Sequence, residues 1–170
     1  LRAQGRLGLD LLERFGDDLL DVVYYLETEG IAHRDIKPDN LGVRSRRGDR
    51  SLHLVLFDFS LTRTPDATIS AGTPGYLDPF LAERPGKRWD PAAERYAAAV
   101  TLYEMATGQT PVYGSGKSHP SLIGDDVTID PGVFEPGPAR DGLIDFFRKA
   151  LSRDVKQRHD SIESMRLEGR

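Results

Sequence analysis

Between Asp90 and Gly108 lies a stretch, Ala92 to Thr107, that is apolar nearly all the way round a helical wheel. A helix with no polar face must be buried, so this stretch needs other elements packed on every side. Its ends carry helix punctuation. Asp90 suits the cap, Pro91 the first helical position, and Gly108 the stop. The fold is therefore read as one built round a buried helix at about 91–107. Amphipathic partners are legible on both sides of it. Leu12, Phe15, Leu19, Val22 and Leu26 recur at steps of three and four, placing an apolar stripe on a helix from about Leu9 to Glu29 with Gly30 to stop it. Asp141 is read as the cap of a later helix carrying Leu143, Ile144, Phe146, Phe147, Ala150 and Leu151 inward. Two short β-type runs, Leu41–Val43 and Leu52–Phe57, joined by the polar stretch Arg44 to Arg50, predict a hairpin. Residues 110–140, rich in Pro and Gly, read as irregular, and Leu61 to Ala71, polar and aperiodic, as a mobile loop. The class is mostly α with a small β-hairpin, in a single unit without internal repeats.

Composition narrows the functions. With 170 residues, 38% hydrophobic and 29% charged, the chain can bury one real core. A formal charge of −4 gives no whole-domain attraction to nucleic acid or anionic membrane. The basic group Arg44, Arg46, Arg47 and Arg50 lacks interleaved aromatics and is read as a solvated hairpin turn, not a nucleic-acid site. No cysteine is present, which excludes disulfides and thiolate metal sites and fits a reducing, cytoplasmic setting. No apolar run is long enough for a membrane span. Leu1 to Gly5 hold neither an initiator Met nor a signal-peptide apolar region, so the chain is read as a piece of a longer protein.

The chemistry-bearing residues cluster in His33-Arg34-Asp35-Ile36-Lys37-Pro38-Asp39-Asn40 and, eighteen residues after Asn40, in Phe57-Asp58-Phe59-Ser60. An Asp, a Lys two residues on and an Asn three beyond supply a base, a cation and a metal ligand within one loop. Asp58 adds a second oxygen ligand at the end of a strand. The predicted hairpin would hold Asn40 at the start of one strand and Asp58 at the end of the other. Phosphoryl transfer needs this equipment: a group to orient a hydroxyl, oxygens for Mg²⁺, and positive charge against phosphate. Gly72-Thr73-Pro74-Gly75-Tyr76-Leu77-Asp78-Pro79 follows. Gly114-Ser115-Gly116-Lys117-Ser118 lacks the first Gly and the preceding strand of a P-loop and is discounted.

In this order and at these spacings the motifs resemble the C-terminal lobe of a Ser/Thr protein kinase over about residues 9–160. The resemblance implies a partial kinase domain across 1–170, with its catalytic loop at 33–40, metal-binding Asp-Phe-Ser at 58–60, activation segment at 58–80 and buried helix at about 91–107. The N-terminal lobe, with the Gly-rich loop and its Lys and Glu, lies outside the chain. ATP and Mg²⁺ are the implied cofactors and a protein hydroxyl the acceptor. The N-terminal lobe and further domains of a parent chain are the implied partners.

Residue by residue, the resemblance makes Asp35 the group that accepts or orients the acceptor hydroxyl. A carboxylate is a weak base at neutral pH, so it would act by position. Lys37 would meet the transferring phosphate, Asn40 and Asp58 would hold the metal, and Thr73 would hydrogen-bond both Asp35 and Lys37. His33 is expected to pack on Phe59. Arg34 is expected to receive a regulatory phosphate on Thr68 or Ser70, with Thr62 and Thr64 also available; the alternative is a simple pairing with an acidic neighbour. Glu94 stands where the family has an Asp tying the buried helix to the catalytic loop. Ser60 replaces the usual Gly. Phe80 replaces a Glu that normally pairs with a late Arg, here Arg158, leaving Glu83 as one substitute partner; Phe80 itself is expected to pack near Tyr96. The Gly72–Leu81 run and Leu56-Phe57-Asp58-Phe59-Ser60 resemble the kinase of bacterial phage growth limitation systems. The alternative reading is a pseudokinase-type binding module, motivated by Phe80, Ser60 and Glu94. An antibiotic-kinase-like phosphotransferase is disfavoured because Gly72 to Pro79 would have no purpose there.

Overall fold

The computed structural model describes residues 5–169. Its elements are α1 (Leu9–Thr28), β1 (Leu41–Ser45), β2 (Leu52–Leu56), α2 (Pro91–Thr107), β3 (Val112–Tyr113), β4 (Val127–Thr128), α3 (Arg140–Ala150) and α4 (Ile162–Glu168), with short 3₁₀ turns between them. Helix α2 is the hub. Asp90 caps it by accepting from the Ala93 N–H, and Gly108 ends it in the left-handed region at φ 75°. Nearly every residue between is buried, as its missing polar face requires.

Helix α1 lies against α2 and buries Leu12, Phe15, Leu19, Leu20, Val23 and Leu26. The stripe thus runs through Val23, with Val22 only partly buried, because 3.6 residues per turn carry the buried line one position past a strict three-four step. The expected hairpin is present. Leu41 pairs with Leu56 and Ser45 with Leu52, and the Phe57 N–H donates to the Asn40 carbonyl at 2.7 Å beyond the last ladder pair. That bond brings Asn40 and the residue before Asp58 to one end of the hairpin.

Three sequence readings need correction. Residues 110–140 contain a two-residue ladder, Val112 opposite Thr128 and Tyr113 opposite Val127, which periodicity over so few residues cannot reveal. Asp141 does not cap α3. The cap position is Ala139, without a side-chain bond, and Asp141 lies in the first turn, where a negative charge suits the helix dipole. A further helix, α4, follows α3, capped reciprocally by Ser161 and Ser164. Its start signal has Ser where a capping box usually has Glu or Gln. Among the described residues no helix is long and apolar enough to cross a membrane.

Candidate active site

Residues 33–40 follow α1 and lead through a short 3₁₀ turn, Pro38–Asn40, into β1. Buried Ile36 anchors the loop in the core, while Asp35 and Lys37 on either side of it remain partly exposed. Four polar groups converge there. The Lys37 Nζ donates to Thr73 Oγ1 at 2.7 Å, and the Thr73 hydroxyl donates to Asp35 Oδ1 at 2.7 Å. Lys37 Nζ also stands 3.5 Å from Asp35 Oδ2. Asn40 Nδ2 donates to the Asp35 carbonyl at 2.7 Å and to Asp35 Oδ2 at 3.1 Å. With both amide hydrogens spent on Asp35, the Asn40 side chain has its carbonyl oxygen left for a cation.

Asp58 sits at the mouth of the hairpin in the left-handed region at φ 58°, with its carboxylate exposed. Hydrogen bonding from Ser60, and to a smaller extent the charges of His33 and Lys37, hold its carboxyl below the usual range, so it is ionised at neutral pH. The Asn40 and Asp58 donors are oxygens, as a hard cation requires. No group of three or more His, Cys, Asp or Glu suited to a metal exists among the described residues. These two oxygens fit Mg²⁺ only as part of a shell completed by water and phosphate.

His33 joins the two halves of the site. Burial lowers its pKa and favours the neutral ring. In that form Nε2–H donates to the Phe57 carbonyl at 2.7 Å and Nδ1 accepts the Asp35 N–H at 3.2 Å, while the ring edge packs on Phe59 at 4.7 Å between centroids. Glu94, on α2, accepts the His33 N–H at 2.6 Å and the Arg34 N–H at 3.2 Å. The extra methylene relative to Asp is accommodated within this tie. Burial raises the Glu94 carboxyl to about 7, against the pull of the two backbone N–H groups and Arg34. The Trp89 indole N–H lies close enough to favour the charged carboxyl without reaching hydrogen-bond geometry.

Arg34 has φ 71° and a side chain only 1% exposed. Its Nη1 donates to the carbonyls of Thr64 (2.7 Å) and Pro65 (3.0 Å), and its Nη2 to that of Thr68 (2.5 Å). Asp66 stands at 3.9 Å. The structure thus brings the Thr68 backbone to Arg34, while Ser70 is exposed on the surface. The segment 61–71, read as mobile, is tied down through these carbonyls.

Next to the Thr73 turn, Gly72 at φ 134° presses on the loop. A Cβ there would stand 2.9 Å from the Arg34 carbonyl and 2.6 Å from Leu77 Cδ2. Only glycine tolerates both the dihedral and the approach. A cleft of about 540 Å³ opens beside Pro38 and Pro74–Tyr76, floored by Glu104 and Met105 of α2.

Phe80 is buried in the main core with Tyr96. Its ring meets Tyr113 edge-on at 5.2 Å, and the Tyr113 hydroxyl lies 3.1 Å from that of Tyr96. The partner of Arg158 is not Glu83, which instead lies 3.8 Å from Arg153. Arg158 grips buried Asp78 bidentately, at 2.7 and 3.1 Å. Asp78 also takes Arg84 at 2.6 Å, and Arg84 in turn takes Asp90. The acid has moved two positions toward the N-terminus, and Phe80 fills the apolar space. Asp78 stands within the Gly72–Pro79 run, but its pairing with Arg158 was not expected and was detectable only as another acid within reach of the same turn.

Comparison with known proteins gives a consistent placement. A family model described as protein kinase domain matches residues 1–166. The chain is 48% identical over 170 residues to "Probable kinase PglW" of Streptomyces coelicolor, covering 98% of this chain and 11% of that protein. It is 31% identical over 131 residues to serine/threonine-protein kinase AtPK1/AtPK6 of Arabidopsis thaliana, covering 74% of this chain and 27% of the relative. Identity to cAMP-dependent protein kinase type 3 of Saccharomyces cerevisiae is 25% over 168 residues, covering 96% of this chain and 39% of the relative. The chain therefore spans between 11% and 39% of the length of these relatives.

Proposed function

Since this chain belongs to the protein kinase family, we propose that it is the C-terminal lobe of a Ser/Thr protein kinase that transfers the ATP γ-phosphate to protein hydroxyls. The observation that carries the reading is the Lys37–Thr73–Asp35–Asn40 hydrogen-bond chain, which fixes a carboxylate, an ammonium and an amide oxygen around one open position. Bound ATP with Mg²⁺ would supply the transferable phosphoryl group. Asp35, held at Oδ1 by Thr73 and at Oδ2 by Asn40, would orient the acceptor hydroxyl and take its proton late in the transfer. Lys37 would place positive charge against the moving phosphate. Asn40 and Asp58 would hold the metal, and the cleft beside Pro74 would take the acceptor peptide. Catalysis of this kind is positioning plus electrostatics, and the four hydrogen bonds provide the positioning.

Exposed Phe57 and Phe59 flank Asp58 in the chain and leave apolar surface beside it suited to an N-terminal lobe and the nucleotide. The likeness to "Probable kinase PglW" supports a bacterial phage-defence role. The burial of Phe80 and the Glu94 tie give those two departures structural purposes and weaken the pseudokinase alternative. The test is Asp35→Asn in the full-length protein. Phosphoryl transfer to a Ser/Thr peptide should fall by at least a hundredfold while Mg²⁺-dependent ATP binding stays within threefold. Comparable turnover would refute the assignment.

A further inference from the structure

The Arg34 guanidinium is already engaged. Three backbone carbonyls, of Thr64, Pro65 and Thr68, accept from its two terminal nitrogens. Its Cζ lies 4.8 Å from the Trp89 ring centroid, a cation–π stack on one face. Asp66, at 3.9 Å, supplies negative charge from within the same loop. Of the two donors left, Nε–H is buried without a partner and the second Nη2–H belongs to a side chain only 1% exposed, so no exposed edge of the guanidinium is left for a group arriving from solvent.

The loop is fastened by two further contacts that involve no charge. The Trp89 backbone N–H donates to the Asp66 carbonyl at 2.7 Å. Ile69, between Thr68 and Ser70, packs against a small separate cluster of Leu81, Trp89 and Ala93. Trp89 immediately precedes the Asp90 cap of α2, and Arg34 immediately precedes Asp35. The loop, the catalytic loop and the start of the buried helix therefore meet at one point.

We infer that Arg34, Trp89 and Ile69 form a latch that holds the activation segment in place without phosphate. Carbonyls, an indole face and an aliphatic plug do the work that a phosphoryl group on Thr68 or Ser70 would do in the rival account. This inference rests on the kinase reading, because the latch positions Asp35 for transfer. Phosphate on the exposed Thr68 or Ser70 hydroxyls would add charge outside the latch without gaining a bidentate site on Arg34. Arg34, Trp89 and Ile69 are positioning residues and touch no substrate.

The experiment uses the full-length protein, before and after a broad-specificity phosphatase, with mass spectrometry confirming that segment 61–71 carries no phosphate. The dephosphorylated protein and the T68A/S70A variant should both keep kcat/KM within threefold of the starting enzyme. A larger loss in either overturns the inference. Trp89→Leu should lower kcat at least tenfold, with KM for ATP within threefold, and should speed tryptic cleavage at exposed Arg63 at least fivefold. Should that variant not fold, Arg34→Lys keeps the charge but not the fork, and the same acceleration is expected. Cleavage no faster than in the parent would overturn the latch. If the parent shows no Asp35-dependent transfer, the kinase reading fails instead, and the Arg63 cleavage rates still decide whether the latch exists.

Discussion

Replacing Asp78 by Ala isolates the ion pair that links the segment after Thr73 to the chain beyond α3. Asp78 is buried and receives Arg158 at two atoms, Arg84 at one, and the Phe80 N–H at 3.1 Å. The losses are unequal. Arg84 keeps both of its bonds to Asp90, each 2.8 Å, and so stays paired. Arg158, 7% exposed, keeps only the Ser152 carbonyl and the Tyr96 ring face, leaving a buried cation without an anion. Orphaning a buried charge costs about 3–5 kcal/mol, whereas an apolar replacement of both partners is often near neutral. In a protein of this size that should lower Tm by roughly 6–20 °C. Asp78→Leu with Arg158→Met should therefore recover most of what Asp78→Ala loses. Urea and thermal unfolding of the single and double variants give the comparison. A single-variant loss under about 1 kcal/mol, or a double variant worse than the single, would refute the reasoning. Acid supplies a second check. Burial pushes the Asp78 carboxyl up, but Arg158 and Arg84 outweigh it and leave it below 3.8. Its contribution is thus present above pH 3.8 and lost as pH falls through the lower folded value.

Glu94 gives the opposite pH dependence. With its carboxyl raised from 4.5 to about 7, the folded state holds a proton that the unfolded chain has released, so stability should fall across that window as pH rises and level off above it. The full effect is about 3 kcal/mol, and Glu94→Gln should flatten the profile measured by urea unfolding between pH 4.5 and 7. Phe80→Ala should cost about 3–5 kcal/mol in unfolding experiments, since the ring is enclosed in the core. The 170-residue piece expressed alone should show no phosphoryl transfer and only weak Mg²⁺ binding, measurable by titration calorimetry, because Asp58 and Asn40 bring few ligands; robust activity from the piece would contradict the proposed site.

What could be read from sequence depended on how far each signal reached. Helix α2 was legible because its apolar circumference and both end residues agree, and the hairpin because two β-type runs flank a polar turn. The Asp35–Lys37–Asn40 grouping was legible because it lies within one loop. Of Arg34's partners the acidic neighbour, Asp66, was legible as an alternative, but the three backbone carbonyls were not, because they carry no residue code. Asp78 was hidden for a related reason. Its bond to Arg158 joins positions eighty apart, and an acid on a Pro-containing turn resembles any surface acid until the fold buries it. The two-residue strands β3 and β4 are too short to show a period.

A helix with no face to water also constrains how the chain is made. In isolation α2 would be only marginally helical and would expose a continuous sleeve of Ala, Val, Leu, Tyr and Met. On a ribosome α1 emerges first and covers one side. The Tyr103 flank is closed only when Phe134 and Phe147 arrive, roughly 30 to 45 residues later, which at typical synthesis speeds is an interval of a few seconds. During that interval the sleeve is available to any other apolar surface, including a second nascent copy. Yield in the cell should therefore depend more on translation rate and chaperone supply across codons 108–150 than on the equilibrium stability of the finished protein.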